Sequence, residues 1–267
     1  MAIFLPQLRA GNVAAQAGGP TSLDSDVAAW ITAVVGAGGA VSQLQADQLT
    51  TLATTMKQTD GGWAQLDRIW LYAVENPQQA KFCLLTRAAH SLNGSPVFTP
   101  NRGYAGDATA ADISTGIANN AGPLYTQNSA CMGGWIETPD TTSSRAMFGA
   151  TSGANVRMSN ASTSTYAWGV AGSAGVNFTW SLPTGLFHFN RSGATALQLY
   201  QNGALVQTGT GASQGTNTSG FYVLSSAHAN FSAARLSSFF TGGSMSAVQA
   251  QNFFNAMRSY MTAVGVS

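Results

Sequence analysis

Charge is what this chain has least of. Only 8% of its 267 residues are Asp, Glu, Lys or Arg, where an ordinary soluble domain carries about a quarter. The formal net charge is +1, so the electrostatic footprint that marks a nucleic-acid binder or a protein adhering to an anionic membrane is missing. Glutamate occurs only as Glu75 and Glu137, and the two lysines are outnumbered by nine arginines, which suit fixed hydrogen-bonding positions better than a solvated surface. The two cysteines, Cys83 and Cys131, form neither a CxxC nor a metal-ligand spacing. Two buried thiols are expected, with a disulfide between them as the alternative. No apolar run approaches the roughly 18 residues that span a bilayer, so membrane insertion is not expected. The start, Met1 to Pro6, lacks the basic segment and long apolar core of a secretory leader, so synthesis in a cytoplasm without export is expected.

Catalytic signatures are equally scarce. No GxSxG, HExxH or HxH occurs, and His90, His188 and His228 fall in separate segments. Glycoside hydrolysis needs two converging carboxyl groups; Glu137 with Asp140 or Asp112 is the pair on offer, without the closely spaced ExDxE pattern of sandwich glucanases. The expectation is a protein that is not an enzyme, with no cofactor. Asp107 and Asp112 lie in a Gly-rich stretch where Ca2+ is conceivable, although isolated Asp residues in turns more often cap backbone.

What is present is glycine, 30 residues of it, and strand patterning with turn punctuation. The second half is organised around Leu186 to Gly209. Phe187 and Phe189 alternate with His188 and Asn190, which points His188 away from the phenylalanines. Leu197, Leu199 and Leu205 then flank Asn202-Gly203, the strongest short-range hairpin signal. Three short antiparallel strands are expected there. Short segments at intervals of about eight to twelve residues from Leu84 to Phe240 indicate a sandwich or barrel. Before them, Leu23-Asp24-Ser25-Asp26 supplies N-cap chemistry for a helix carrying Val27, Trp30, Ile31, Val34 and Val35, and a second helix runs from Ser42 to Lys57 with Leu44, Leu49, Leu52, Ala53 and Met56 on one face. Leu66, Ile69, Trp70 and Ala73 predict a third over 63–74, and a short turn follows Asn76-Pro77. Trp30, Trp63 and Trp70 read as core. Ser244 to Val264 predicts a closing helix with Val248, Phe253, Met257 and Tyr260 as its apolar stripe and Gly265 just beyond it. The organisation is thus an N-terminal arm (1–22), a helical subdomain (23–83), and a β domain with a C-terminal helix (84–267).

Several stretches resemble a known family. The run Asn101-Arg102-Gly103-Tyr104-Ala105-Gly106-Asp107, followed by Asp112-Ile113-Ser114-Thr115-Gly116, is similar to the RGxxGDG…YxxTG stretch of phage and prophage structural proteins that carry a concanavalin A-like (laminin-G-like) jelly roll. Tyr200-Gln201-Asn202-Gly203 resembles their NG hairpin. Ala234 to Phe240, then Gly242, Ser244 to Ser246 and a helix ending at Tyr260 to Gly265, resembles their closing strand and helix. The resemblance spans about 24–267; Ala108-Thr109 departs from it, and the 1–22 arm is outside it. It implies an antiparallel β-sandwich of jelly-roll type, preceded by helices, in a structural component of a tailed-phage virion. Such a component is surface-exposed as head decoration or with tail or fibre, partnered by other virion proteins, and usually homo-oligomeric. Low charge with abundant Ser, Thr, Asn and Gln suits a particle made in a host cytoplasm and released by lysis. The alternative is a carbohydrate-binding protein for host attachment; less favoured is a polysaccharide-cleaving enzyme. For glycan binding the candidate contacts are Trp135, Tyr166 and Trp168, with Trp180 nearby, because an exposed aromatic among Asn, Ser and Thr suits sugar stacking; core burial is the competing reading for each.

Overall fold

The structure is a computed structural model that describes residues 22–142, 145–150, 155–162, 165–172, 176–179, 184–216 and 218–266; of residues 155–179 only the backbone and Ala171 are described. The expected 1–22 arm, apart from its last residue, and Trp180 lie outside the described residues.

Two helices open the chain, as their capping residues dictate. Helix α1 (Ser25–Gly36) begins where the Asp24 carboxylate accepts the Asp26 N–H, and α2 (Gln43–Gln58) where the Ser42 hydroxyl accepts the Gln45 N–H. A single turn, α3 (Pro77–Ala80), is capped by Asn76. Helix α4 (Ala247–Ala263) starts in a reciprocal box in which Ser246 and Gln249 satisfy each other's backbone, and Gly265 follows at φ +87°.

The strands of the first half are β1 (Leu66–Leu71), β2 (Ser91–Asn93), β3 (Val97–Thr99), β4 (Gly103–Ala105), β5 (Asp112–Ala118) and β6 (Ala130–Thr138). Next come β7 (Ala146–Ala150), β8 (Asn155–Ser162), β9 (Thr165–Gly172) and β10 (Val176–Thr179). The meander follows as β11 (Gly185–Arg191), β12 (Ala196–Gln201) and β13 (Ala204–Thr210), then β14 (Gly220–Val223), β15 (Arg235–Leu236) and β16 (Ser238–Gly242). They form two antiparallel sheets. One runs β13-β12-β11-β6-β15-β4-β3, with β16 beside β6 and β1 beside β16; the other runs β10-β9-β8-β7-β14-β5-β2. This is the expected concanavalin A-like β-sandwich of jelly-roll type, with helices before it and a helix closing it.

The meander forms as its turn residues require. Asn202 and Gly203 take φ of +50° and +79°, the paired positive values of a type I′ hairpin. Alternation then sorts the side chains between layers. Phe187 and Phe189 face the second sheet, where Phe148 of β7 lies 6.0 Å from Phe189. Phe239 of β16 joins them, with Phe148 at 5.8 Å and Phe221 at 6.1 Å between ring centres. His188 and Phe240 point the other way, under α4: His188 stacks on Tyr200 at 4.6 Å, and Phe240 meets Phe253 at 4.7 Å. The molecule is therefore layered as sheet, sheet and helices. The apolar core runs continuously from Val27 and Trp30 through the sandwich to Met261, across the expected 83/84 boundary.

One expected element is different. Residues 63–74 are not a helix: Trp63–Gln65 make a tight 3-10 turn after Gly62, and Leu66–Leu71 form β1. Leu66, Ile69 and Trp70 satisfy helical spacing, but every residue of β1 is buried, and a short run buried on both faces has no period that separates strand from helix. The deciding contact is distant in sequence, the ladder from Ile69 to Phe240 and Trp70 to Phe239. Smaller corrections concern helix faces. Val35, Leu44 and Val248, assigned to apolar stripes, are 51%, 59% and 64% exposed, because each lies off the buried stripe of its helix. That stripe runs through Trp30 and Val34 in α1, Gln45, Leu49, Leu52 and Met56 in α2, and Ala250, Phe253, Met257 and Tyr260 in α4. Both cysteines are free buried thiols, as expected.

Candidate functional site

The residues expected to carry a glycan do not form one surface. Trp135, on β6, is only 5% exposed, and its ring lies parallel to Phe254 of α4 at 6.3 Å. The expectation of an open stacking face at Trp135 is thus corrected: its β6 position pairs with Leu186 on the face that α4 covers. Tyr166 and Trp168 are both on β9, where Tyr166 pairs with Asn160 and Phe178, and Trp168 with Met158 and Val176; their side chains lie outside the described residues.

The carboxylates are engaged in structure. Asp107 accepts the N–H groups of Thr109, Ala110 and Ala111 at 2.8 to 2.9 Å. The Ala110 N–H foremost, with its two neighbours, holds this carboxyl well below the usual range. It is a turn cap of the kind set against the calcium reading. Buried Asp112 accepts from Asn93 Nδ2 at 2.7 Å, Ser225 Oγ at 2.6 Å and His228 Nδ1 at 3.0 Å. Glu137 pairs with Arg102 and with Arg235. Asp140 accepts from Thr142 N, Ala233 N and Ser232 Oγ. Among the described residues, no three His, Cys, Asp or Glu side chains gather as a metal site.

A concave feature lies elsewhere, on ground that sequence reasoning did not mark. A cleft of about 670 Å³ opens between the α1–α2 loop, α3 and the β2–β4 region. One wall is the loop Gly38-Gly39-Ala40, held in place by three side-chain amides. Gln78 Nε2 donates to Ala37 O at 3.0 Å, Asn76 Nδ2 to Ala40 O at 3.2 Å, and buried Gln79 Nε2 to Ala40 O at 2.8 Å. The Asn76 cap that starts α3 therefore also shapes the wall. The opposite rim is Ser91 and Leu92 of β2, both exposed, and Lys81 stands at the end of α3.

Beneath them the floor is lined by His90 and Tyr104, two rings of a larger edge-to-face cluster. Tyr72, His90 and Tyr104 lie 5.6 to 5.8 Å from one another, and Phe98 is 5.1 Å from Tyr104. His90 is buried and neither ring nitrogen makes a well-formed hydrogen bond, with the backbone of Ala80 and Ser91 nearby. Burial, reinforced by the Lys81 charge, lowers its pKa to about 4, so the ring is neutral near pH 7. Burial likewise pushes the Tyr104 hydroxyl up to about 12. The floor is therefore uncharged over the whole neutral range.

The Asn101–Asp107 run has a defined place beside this cleft. Gly103 has φ +102°, and a Cβ there would sit 2.0 Å from Leu236 O; that close approach lets β4 lie against β15 and sets Tyr104 into the floor. Tyr104 was legible only as a motif letter. Lys81, His90, Ser91 and Leu92 carry no sequence signal of a site, because they come together only when β2 and α3 meet.

No family model matches the chain, and no curated protein matches it in sequence. Solved structures do match. The receptor binding domain of botulinum neurotoxin C/D mosaic serotype is similar at a TM-score of 0.55 and 11% identity, over 72% of this chain and 51% of that one. Trypanosoma rangeli sialidase is similar at a TM-score of 0.54 and 11% identity, over 81% of this chain and 39% of that one. This chain thus spans about half the length of the neurotoxin domain and about two fifths of the sialidase. Likeness at such identity concerns fold alone: a β-sandwich, here roofed by helices, with a cleft at the seam between the two.

Proposed function

We propose that this chain is a non-enzymatic, lectin-like binding domain on the surface of a tailed-phage particle, holding a saccharide in the cleft beside β2. The cleft carries the reading. It has the volume of a ligand site, an uncharged aromatic floor, and a rim that offers a hydroxyl at Ser91, an apolar edge at Leu92 and backbone groups at Gly38 to Ala40. That mixture suits a sugar, whose hydroxyls need donors and acceptors and whose C–H faces need apolar surface. The fold it shares with a receptor binding domain is in keeping with such a role. The engagement of Asp112, Glu137 and Asp140 in hydrogen bonds and ion pairs supports binding without catalysis.

The particle setting rests on the motif stretch from Asn101 to Gly116, on the closing strand and helix, and on a surface poor in charge. Under this reading other virion proteins, and further copies of the chain, are its partners, and it serves as head decoration or with the tail. The experiment is equilibrium binding of the purified chain to host surface polysaccharide, with Ser91→Trp, an exposed rim change that fills the cleft. Saturable binding abolished in this variant, with the melting temperature unchanged, is the expected result; binding that survives the substitution refutes the cleft. Mass spectrometry of purified particles tests the setting, and absence of the chain from them refutes it.

A further inference from the structure

The charge around the cleft goes further than its shape. Among the described residues, most basic side chains are already committed. Lys57 is ion-paired to Asp24 and Asp26 at 2.7 and 2.8 Å. Arg102 and Arg235 share Glu137. Arg145 and Arg191 donate to backbone carbonyls, and Arg258 lies over Phe254. Lys81 differs: it is exposed, stands on the cleft and makes no ion pair, and no Asp or Glu is among the lining residues. Glu75, one residue before the α3 cap, is occupied by Ser42 and by Gln79 Nε2 at 3.0 Å. The lining of the cleft therefore holds one basic side chain, Lys81, and no acidic one, over a neutral floor.

A lysine held there without a counter-ion is a site for an anion. A saccharide bearing no charge would leave that ammonium with water alone, whereas an anionic substituent would pair with it. We propose that the ligand of the cleft is an acidic saccharide, whose carboxylate or phosphate pairs with Lys81 while its ring lies along Leu92 and a hydroxyl meets Ser91. This rests on the saccharide-binding reading and names its ligand class. A lysine is a point charge without the fork that tells carboxylate from phosphate, so both anions share the proposal.

The test is titration of the full chain with three oligosaccharides of equal length: one containing uronic acid, one linked through glycerol phosphate, and one neutral. The expected result is that at least one acidic ligand binds about tenfold more tightly than the neutral one at low salt, and that the gap narrows at 0.5 M salt. Lys81→Gln is expected to remove the preference with the melting temperature unchanged, and Lys81→Arg to keep it. Comparison of the two acidic ligands tells which anion is the source. Equal affinity for acidic and neutral ligands, or a preference that persists in Lys81→Gln, overturns the inference and leaves the saccharide reading standing. Failure of all three ligands to bind overturns both.

Discussion

Two histidines show how burial alone sets chemistry at the scale of one residue. His188 is fully buried between Tyr200 and Phe240, and burial lowers its pKa to about 3; His90 is lowered to about 4. In each case the folded-state value lies below the unfolded value near 6.5, so the folded chain binds fewer protons between those limits. The stabilisation is complete above about pH 6.5 and is lost as pH falls toward 4 and 3. For His188 the loss between pH 7 and 4.5 is about 2 to 3 kcal/mol. Urea unfolding at the two pH values measures it, and His188→Phe is expected to flatten the dependence. An unchanged slope in that variant would mean that His188 is not the buried neutral group described here. The alternation of His188 with Phe187 and Phe189 already separated their faces in the sequence; that the face of His188 is buried as well depended on α4.

At the scale of elements, β1 carries the main lesson. Its residues satisfy a helical repeat, and nothing local forbids the helix, but the six-residue stretch is buried on both sides and pairs with β16, about 170 residues away. Trp70 stacks on Phe239 at 6.2 Å, joining the edge of one sheet to the aromatic centre of the sandwich. Trp70→Ala is expected to cost about 3 to 5 kcal/mol, read as a lowered urea midpoint with unchanged helix content by circular dichroism. A concurrent fall in helix signal in the folded baseline would instead favour a helical 63–74. The helix starts, by contrast, were readable from the chain to within a few residues, since Asp24, Ser42, Asn76 and Ser246 each act within three residues of themselves.

For the whole molecule, the continuous core turns a question of domains into one of cooperativity. Residues 23–83 supply β1 to the first sheet and helices to its outer face, and α2 reaches α4 through Gln45 Nε2, which donates to the Tyr260 hydroxyl at 3.0 Å. That hydroxyl in turn donates to Ala73 O at 2.8 Å. Removing residues 1–83 would uncover Phe239 and the Tyr260 face of α4. The full chain is therefore expected to melt in a single calorimetric transition, and the 84–267 fragment not to fold alone. Two separable transitions, or a folded fragment, would favour the helical segment as an independent subdomain.

Taken by itself, the amino-acid sequence determined what depends on near neighbours: the helix starts, the Asn202-Gly203 hairpin, and the spacing of strands that makes a sandwich. These follow from backbone preferences and side-chain reach over a few residues. Tertiary structure decided what depends on which distant surfaces meet. It made β1 a strand, it laid α4 over Trp135 and so withdrew a ring that composition offered for stacking, and it brought Lys81, Ser91, Leu92 and Tyr104 from three elements to one cleft. Burial and cleft formation are properties of pairs of surfaces, and a linear pattern carries only one member of each pair.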